Sequence, residues 1–167
     1  MFDPDTIPQS LEPHDGRFMG LTHWFACRVY FEDTDFSGVV YHANYLRYCE
    51  RARSDMLRCI GIDQRAAFEA GQGAYAIADL SIKYTQPARM DDALLIASQV
   101  VQIRAAACHI HQRVMRRNKD GGIDAIAEVA VIAALVGKLG RPTRQPSDWI
   151  AAFQTVLNPD EQESPNS

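Results

Sequence analysis

Asn44-Tyr45-Leu46-Arg47-Tyr48-Cys49-Glu50-Arg51-Ala52-Arg53-Ser54-Asp55-Met56-Leu57-Arg58-Cys59-Ile60-Gly61 is the stretch that decides the fold. Tyr45, Leu46, Cys49, Ala52, Met56, Leu57 and Ile60 recur every three or four residues and fall on one side of a helix. Arg47, Glu50, Arg51, Ser54, Asp55 and Arg58 fall largely on the other side, which is expected to face water. Gly61 ends the run, because a residue without Cβ takes the positive φ of a helix C-terminus at little cost. The spacing predicts a helix from about Asn44 to Ile60 whose apolar face needs a second layer to cover it.

Outward from that helix the chain reads mostly as strands. Thr22 to Glu32 holds β-branched and aromatic residues and ends in a polar turn, Asp33 to Gly38. Downstream, a short helix from Asp63 to Ala70 precedes Ala74 to Gln86, a strand stopped by Pro87. Ala93 to Arg104, Ala107 to Arg117 and Ile123 to Val136 follow as strands, with a turn at Asn118 to Gly122. A last helix is expected with Ser147 as N-cap and Trp149, Ile150, Phe153 and Val156 on its apolar side. One long helix among about five strands joined by short turns predicts an α+β fold with a largely antiparallel sheet. A free sheet edge would invite pairing with a second subunit.

Composition bounds the function. A chain of 167 residues, 47% hydrophobic and 23% charged, suits one soluble domain. Its net charge of -4 disfavours nucleic acid or an anionic membrane as partner. Residues 1–20, acidic and proline-bearing, read as an N-terminal arm without the basic and apolar regions of a signal peptide. Residues 21–157 form the domain, and 158–167 read as a disordered tail. No apolar run reaches the roughly 18 residues of a membrane span. Cys27, Cys49, Cys59 and Cys108 form no C-x-x-C pair and read as reduced thiols of a cytoplasmic protein. His109 and His111 share a strand face with no third ligand in register, so no metal is expected.

The chemistry is concentrated in Tyr30-Phe31-Glu32-Asp33-Thr34-Asp35-Phe36-Ser37-Gly38-Val39-Val40-Tyr41-His42-Ala43-Asn44-Tyr45. Three acids crowd four positions, so repulsion is expected to leave one with a raised pKa, fit to act as base or nucleophile. The helix start that follows offers free backbone N–H groups and partial positive charge, suited to an oxyanion. Asp and Gly also crowd ordinary turns, so on pattern alone a plain loop fits as well.

This segment resembles the signature of the 4-hydroxybenzoyl-CoA thioesterase-like hotdog family, most closely its branch of Tol-Pal-associated acyl-CoA thioesterases. The match runs through Tyr30, Asp33, Thr34, Asp35, Gly38, Val39, Val40, Tyr41, His42, Ala43, Asn44 and Tyr45, then Glu50, Arg51, Ala52 and Arg53. Lys83-Tyr84-Thr85-Gln86-Pro87-Ala88-Arg89-Met90-Asp91-Asp92 resembles a second family signature. Within the first signature, Phe31-Glu32 is a departure that places an acid one position before Asp33, where the family lets the residue vary. The resemblance covers roughly Phe25 to Val136.

The resemblance implies a hotdog fold, with the long helix wrapped by an antiparallel sheet. It implies a homodimer that pairs sheets edge to edge and forms the site between subunits, with a homotetramer the commoner family arrangement. Asp35 matches the catalytic carboxylate and His42 a histidine assigned a catalytic role. The backbone N–H near His42 would polarise the thioester carbonyl. Acyl-CoA is the implied substrate, acyl carrier protein a second candidate partner, and no cofactor is required. Val40, Tyr41, Tyr45, Glu50 and Arg89 complete the candidate substrate-binding set. Asp33 reads as a turn-stabilising residue. Tyr45 reads equally as core, and Glu50 equally as a salt-bridge partner of Arg53 or Arg47. Arg89 shares its phosphate-binding candidacy with Arg104, Arg113, Arg116 and Arg117. Two rivals stand beside hydrolysis: an enoyl-thioester hydratase of the same fold, and a non-hydrolytic module binding acyl carrier protein or an envelope complex.

Overall fold

The computed structural model describes residues 14–158 of the chain. Among them six strands form one sheet: β1 (Arg17–Met19), β2 (Thr22–Arg28), β3 (Ala74–Tyr84), β4 (Ala93–Ile103), β5 (Ala107–Arg117) and β6 (Ile123–Val136). Three α-helices accompany it: α1 (Asn44–Cys59), α2 (Gln64–Glu69) and α3 (Ser147–Gln154). The strand order is β1-β2-β4-β5-β6-β3, and every neighbouring pair is antiparallel. This is the expected α+β hotdog arrangement, one long helix laid on a curved antiparallel sheet.

The two periodicities meet in the core. Tyr45, Tyr48, Cys49, Ala52 and Met56 of α1 are buried. They share one apolar cluster with Leu94, Ile96 and Val100 of β4, Ile110 and Val114 of β5, and Val129, Val131 and Leu135 of β6. Each such aliphatic side chain contributes about 1.5–3 kcal/mol by leaving water. Trp149 and Phe153 of α3 close the far end against Tyr75, with ring centroids 5.6 and 6.4 Å away. Gly61, at φ 80°, ends α1 as expected.

Several expectations need correction. Arg17–Met19, read as arm, is a sixth strand paired with β2. Gly20 takes φ 61° in the two-residue link that closes this hairpin. Three residues are too short a run to show a period. β2 stops at Arg28 because Phe31–Asp33 turns as a 3-10 helix. Pro146, not Ser147, is the N-cap of α3. Asp55, placed on the water face of α1, is only 1% exposed, because β1 and β2 wrap over that part of the helix. The rest of the expected arm, 1–13, and residues 159–167 of the expected tail lie outside the described residues.

Candidate active site

The turn at Asp35 is closed by its own side chain. One carboxylate oxygen, Oδ1, accepts the Ser37 N–H at 2.8 Å and the Ser37 hydroxyl at 2.5 Å. The backbone closes around the same point, with Asp35 N–H donating to Val39 O at 2.9 Å and Gly38 N–H to Asp35 O at 3.0 Å. Gly38 sits at φ 76°, a conformation a Cβ would strain. The Ser37 hydroxyl, then the Ser37 N–H, hold the Asp35 carboxyl below the ordinary aspartate value, with a smaller contribution from His42. This corrects the expectation of a raised pKa. The neighbouring acid does not crowd it, because Asp33 is buried and turns its carboxylate to the Tyr30 N–H at 2.8 Å.

The helix mouth is pinned from several sides. Tyr41 N–H donates to Asp33 O at 2.8 Å, and the Asn44 side-chain amide donates to the same oxygen at 2.9 Å. Asn44 N–H donates to Tyr41 O at 2.8 Å. The Tyr84 hydroxyl donates to His42 O at 2.8 Å. Ala43, the N-cap, makes no side-chain cap bond. Neither the His42 nor the Ala43 N–H has an acceptor among the described residues. Two unspent amides therefore stand at the positive end of α1, which begins just after the Asp35 turn.

The loop before β4 backs this turn. Val40 N–H donates to Ala88 O at 2.8 Å, and Val39 bridges Arg89. Ala88 N–H donates to the Tyr45 hydroxyl at 3.0 Å. Asp92 holds the loop by accepting the Arg89 N–H at 2.9 Å. Arg116 ties Asp92 to Asp124, at 3.3 and 2.5 Å.

The sequence-selected residues separate into two groups. Asp35, Tyr41, His42 and Arg89 are exposed around one mouth, with the Tyr41 and His42 rings 4.3 Å apart. Val40 and Tyr45 are buried beneath it and support the loop. The Val40 and Tyr41 amides are engaged, so the free donors lie at His42 and Ala43 instead. Glu50 lies farther along α1 and pairs with Arg53. Of the other arginines, Arg104 bonds Gln102, Arg113 pairs with Glu128, and Arg116 with its two acids. Phe36 stands fully exposed, and Phe31, Tyr41 and Tyr84 are also exposed around the turn.

Two buried polar groups were missed by sequence reading. His23 and Asp55 bond at 2.8 Å with both side chains shut from water. Asp55 also accepts Gly16 N–H and Arg58, each at 2.8 Å, and Cys59 lies beside it. Arg53, 6% exposed, donates to Gln112 Oε1 at 2.7 Å and to Glu50. Strand alternation carried the signal for both. His23 shares a strand face with Phe25 and Cys27, and Gln112 shares the core face with Ile110 and Val114.

Comparison with known proteins identifies the family. The family model for the thioesterase-like superfamily matches residues 29–154. A Haemophilus influenzae protein named acyl-CoA thioesterase YbgC is 38% identical over 129 residues, 77% of this chain and 92% of that one. A Helicobacter pylori acyl-CoA thioesterase YbgC is 33% identical over 134 residues, 79% of this chain and 97% of that one. A probable thioesterase from Bartonella henselae superposes with TM-score 0.65 at 33% identity, over 75% of this chain and 98% of that one. The 4-hydroxybenzoyl CoA thioesterase of a Pseudomonas species shares the fold, with TM-score 0.72 at 22% identity, over 78% of this chain and 98% of that one. The chain belongs to the thioesterase-like superfamily and is a thioester hydrolase of the hotdog fold.

Proposed function

We propose that the protein hydrolyses acyl-CoA thioesters to the free carboxylic acid and CoA, with Asp35 as its reactive carboxylate. The observation that carries this reading is the junction itself: a turn that presents an exposed Asp35, with His42 near enough to lower its pKa, followed by the unspent His42 and Ala43 amides at the mouth of α1. The relatives named acyl-CoA thioesterases supply the substrate class. The amides take the thioester carbonyl oxygen, where charge develops as the carbonyl is attacked. One such donor lowers the barrier by on the order of 3 kcal/mol. Asp35 either attacks the carbonyl, giving an acyl anhydride and releasing the CoA thiolate, or takes a proton from the attacking water. In the first route water then cleaves the anhydride and restores the carboxylate. His42 orients the thioester or protonates the departing thiolate. Arg89, whose side chain has no partner among the described residues, reaches toward a CoA phosphate.

A second copy of the chain completes the site in this reading. Among the described residues β3 is a sheet edge that pairs only with β6, and it carries exposed Ile77 and Tyr84. Exposed Phe31 and Phe36 flank Asp35. Pairing β3 with its symmetry mate covers such surfaces and walls the acyl group, and two dimers associate as a tetramer. Acyl carrier protein is a further partner of the same site, the cytoplasm is its working compartment, and a Tol-Pal association belongs to the same reading. Release of thiol from acyl-CoAs of graded length, followed with a thiol-trapping dye beside a crotonyl-CoA hydration assay, tests the function. Hydration without thiol release would replace hydrolysis by the hydratase reading, and binding of acyl carrier protein with neither activity would favour the binding module.

A further inference from the structure

The Asp35 turn hangs from the loop between Pro87 and Asp92. Val40 N–H donates to Ala88 O, and Val39, whose carbonyl takes the Asp35 N–H, bridges Arg89. Asp35 is thus two backbone contacts away from this loop. The loop's shape is imposed by what surrounds it. Among the described residues Asp91, at φ 68°, is the one non-glycine with a positive φ, a conformation that a side chain makes uncommon. Its flanks are tied to the sheet and to the end of β2. Thr85 N–H donates to Ile126 O at 2.8 Å, while Val29 N–H donates to Asp92 O and Asp91 N–H to Val29 O, each at 3.0 Å.

Arg116 of β5 closes this loop across its neck. One terminal nitrogen, Nη1, donates to Pro87 O and to Asp92 Oδ2, each at 3.3 Å, and so touches the first and the last residue of the loop. Asp92 Oδ2 is also the oxygen that takes the Arg89 N–H, at 2.9 Å. The other terminal nitrogen, Nη2, donates to Asp124, the cross-strand neighbour of Arg116 on β6, at 2.5 Å. The side chains of Arg116, Asp92 and Asp124 are 21%, 24% and 30% exposed. Charges partly withdrawn from water in this way are less screened than those of an open surface pair. A planar guanidinium holds two acids and a carbonyl in one fixed geometry, whereas an ammonium is a point charge on a flexible stem.

We propose that Arg116 is a positioning residue for hydrolysis: by bracing Pro87 against Asp92 it fixes Ala88 and Arg89, and through Val39 and Val40 it sets where the Asp35 carboxylate stands. This rests on the reading of Asp35 above and adds a residue to it. The test reads kcat and KM by thiol release, and the melting temperature, for the parent protein and its variants. Arg116→Lys keeps a positive charge between the two acids but loses the brace. Its kcat should fall about tenfold or more with KM within about twofold of the parent, because displacing a reacting group costs rate and not ground-state binding. Asp92→Ala and Asp124→Ala each remove one acid from the same arginine, and a merely stabilising role would make the two alike. Positioning makes them differ. Asp92→Ala, on the loop side, should lower kcat about tenfold, whereas Asp124→Ala, on the sheet side, should keep kcat within about twofold even where its melting temperature falls. Combining Arg116→Lys with Asp92→Ala should add little further loss, since both cut one path. Should Arg116→Lys fail to fold, the comparison of the two alanine variants decides. Parental kcat in folded Arg116→Lys, equal kcat losses in the two alanine variants, fully additive losses in the double variant, or a loss carried by KM alone overturns the proposal while leaving Asp35 in place. Parental turnover of Asp35→Asn overturns the reading beneath it and the proposal together.

Discussion

The Tyr84 hydroxyl donates to the carbonyl of His42 at 2.8 Å, so the last residue of β3 holds the residue whose amide opens the long helix. Tyr84 also stacks edge-on against Tyr45, with centroids 5.5 Å apart. Its ring thus has a packing role that Phe can keep and a hydrogen bond that Phe cannot. Tyr84→Phe should lower kcat about two- to tenfold, the worth of one hydrogen bond, with KM little changed. A variant with raised KM and intact kcat would place Tyr84 in substrate binding instead of carbonyl polarisation.

Ser37 sets the ionisation of Asp35. Its hydroxyl and N–H both bond the carboxylate, which is active when ionised in this account. Activity is therefore present above the lowered Asp35 pKa and lost as pH falls through it. Ser37→Ala removes the larger of the two contributions and should move the acid limb of kcat/KM upward. Overlapping pH profiles for the two proteins would show that a group other than Asp35 governs that limb.

His23 links folding to pH. Burial lowers its pKa below 6.5 by more than the Asp55 carboxylate raises it. The unfolded chain then binds the proton more readily, so this stability is fully present above about pH 6.5 and is lost as pH drops toward the folded value. The melting temperature should fall on acidification through that window. In His23→Asn, which can still donate to Asp55, the fall should be shallower. A variant with the same slope as the parent protein would assign the acid sensitivity elsewhere.

Phe153 tests whether α3 belongs to the fold's core. Its side chain is fully buried and meets the Tyr75 ring. Phe153→Ala should cost about 3–5 kcal/mol of unfolding free energy, measured by denaturant titration. A loss below about 1 kcal/mol, no more than an ordinary surface substitution, would mean that the helix docks only loosely.

The helix α1 and the strands β4, β5 and β6 were legible because their side chains follow one period over ten or more residues. The turn at Asp33 to Gly38 was legible from its polar residues and glycine, but that Asp35 itself closes it on the Ser37 N–H was not. The burial of Asp55 was not, since a helical wheel shows which face is polar but not which strand later covers it. The lowered pKa of Asp35 was not legible either, for a related reason. Sequence counts nearby acids, whereas the 3-10 turn at Phe31–Asp33 sends Asp33 inward and leaves Ser37 as the closest partner of Asp35. Arg53 lay in plain view within the family-like motif, yet its partner Gln112 sits 59 residues away on β5. Only the closed sheet brings that pair together.

Thiol release by purified Asp35→Asn, measured beside the parent protein on the best acyl-CoA, addresses the central assignment most directly. The side chain keeps its size and its oxygen toward Ser37 but loses the charge that both routes use. Turnover should drop on the order of 100- to 10,000-fold with the fold unchanged by circular dichroism. Turnover equal to that of the parent protein would show that the reaction proceeds without this carboxylate.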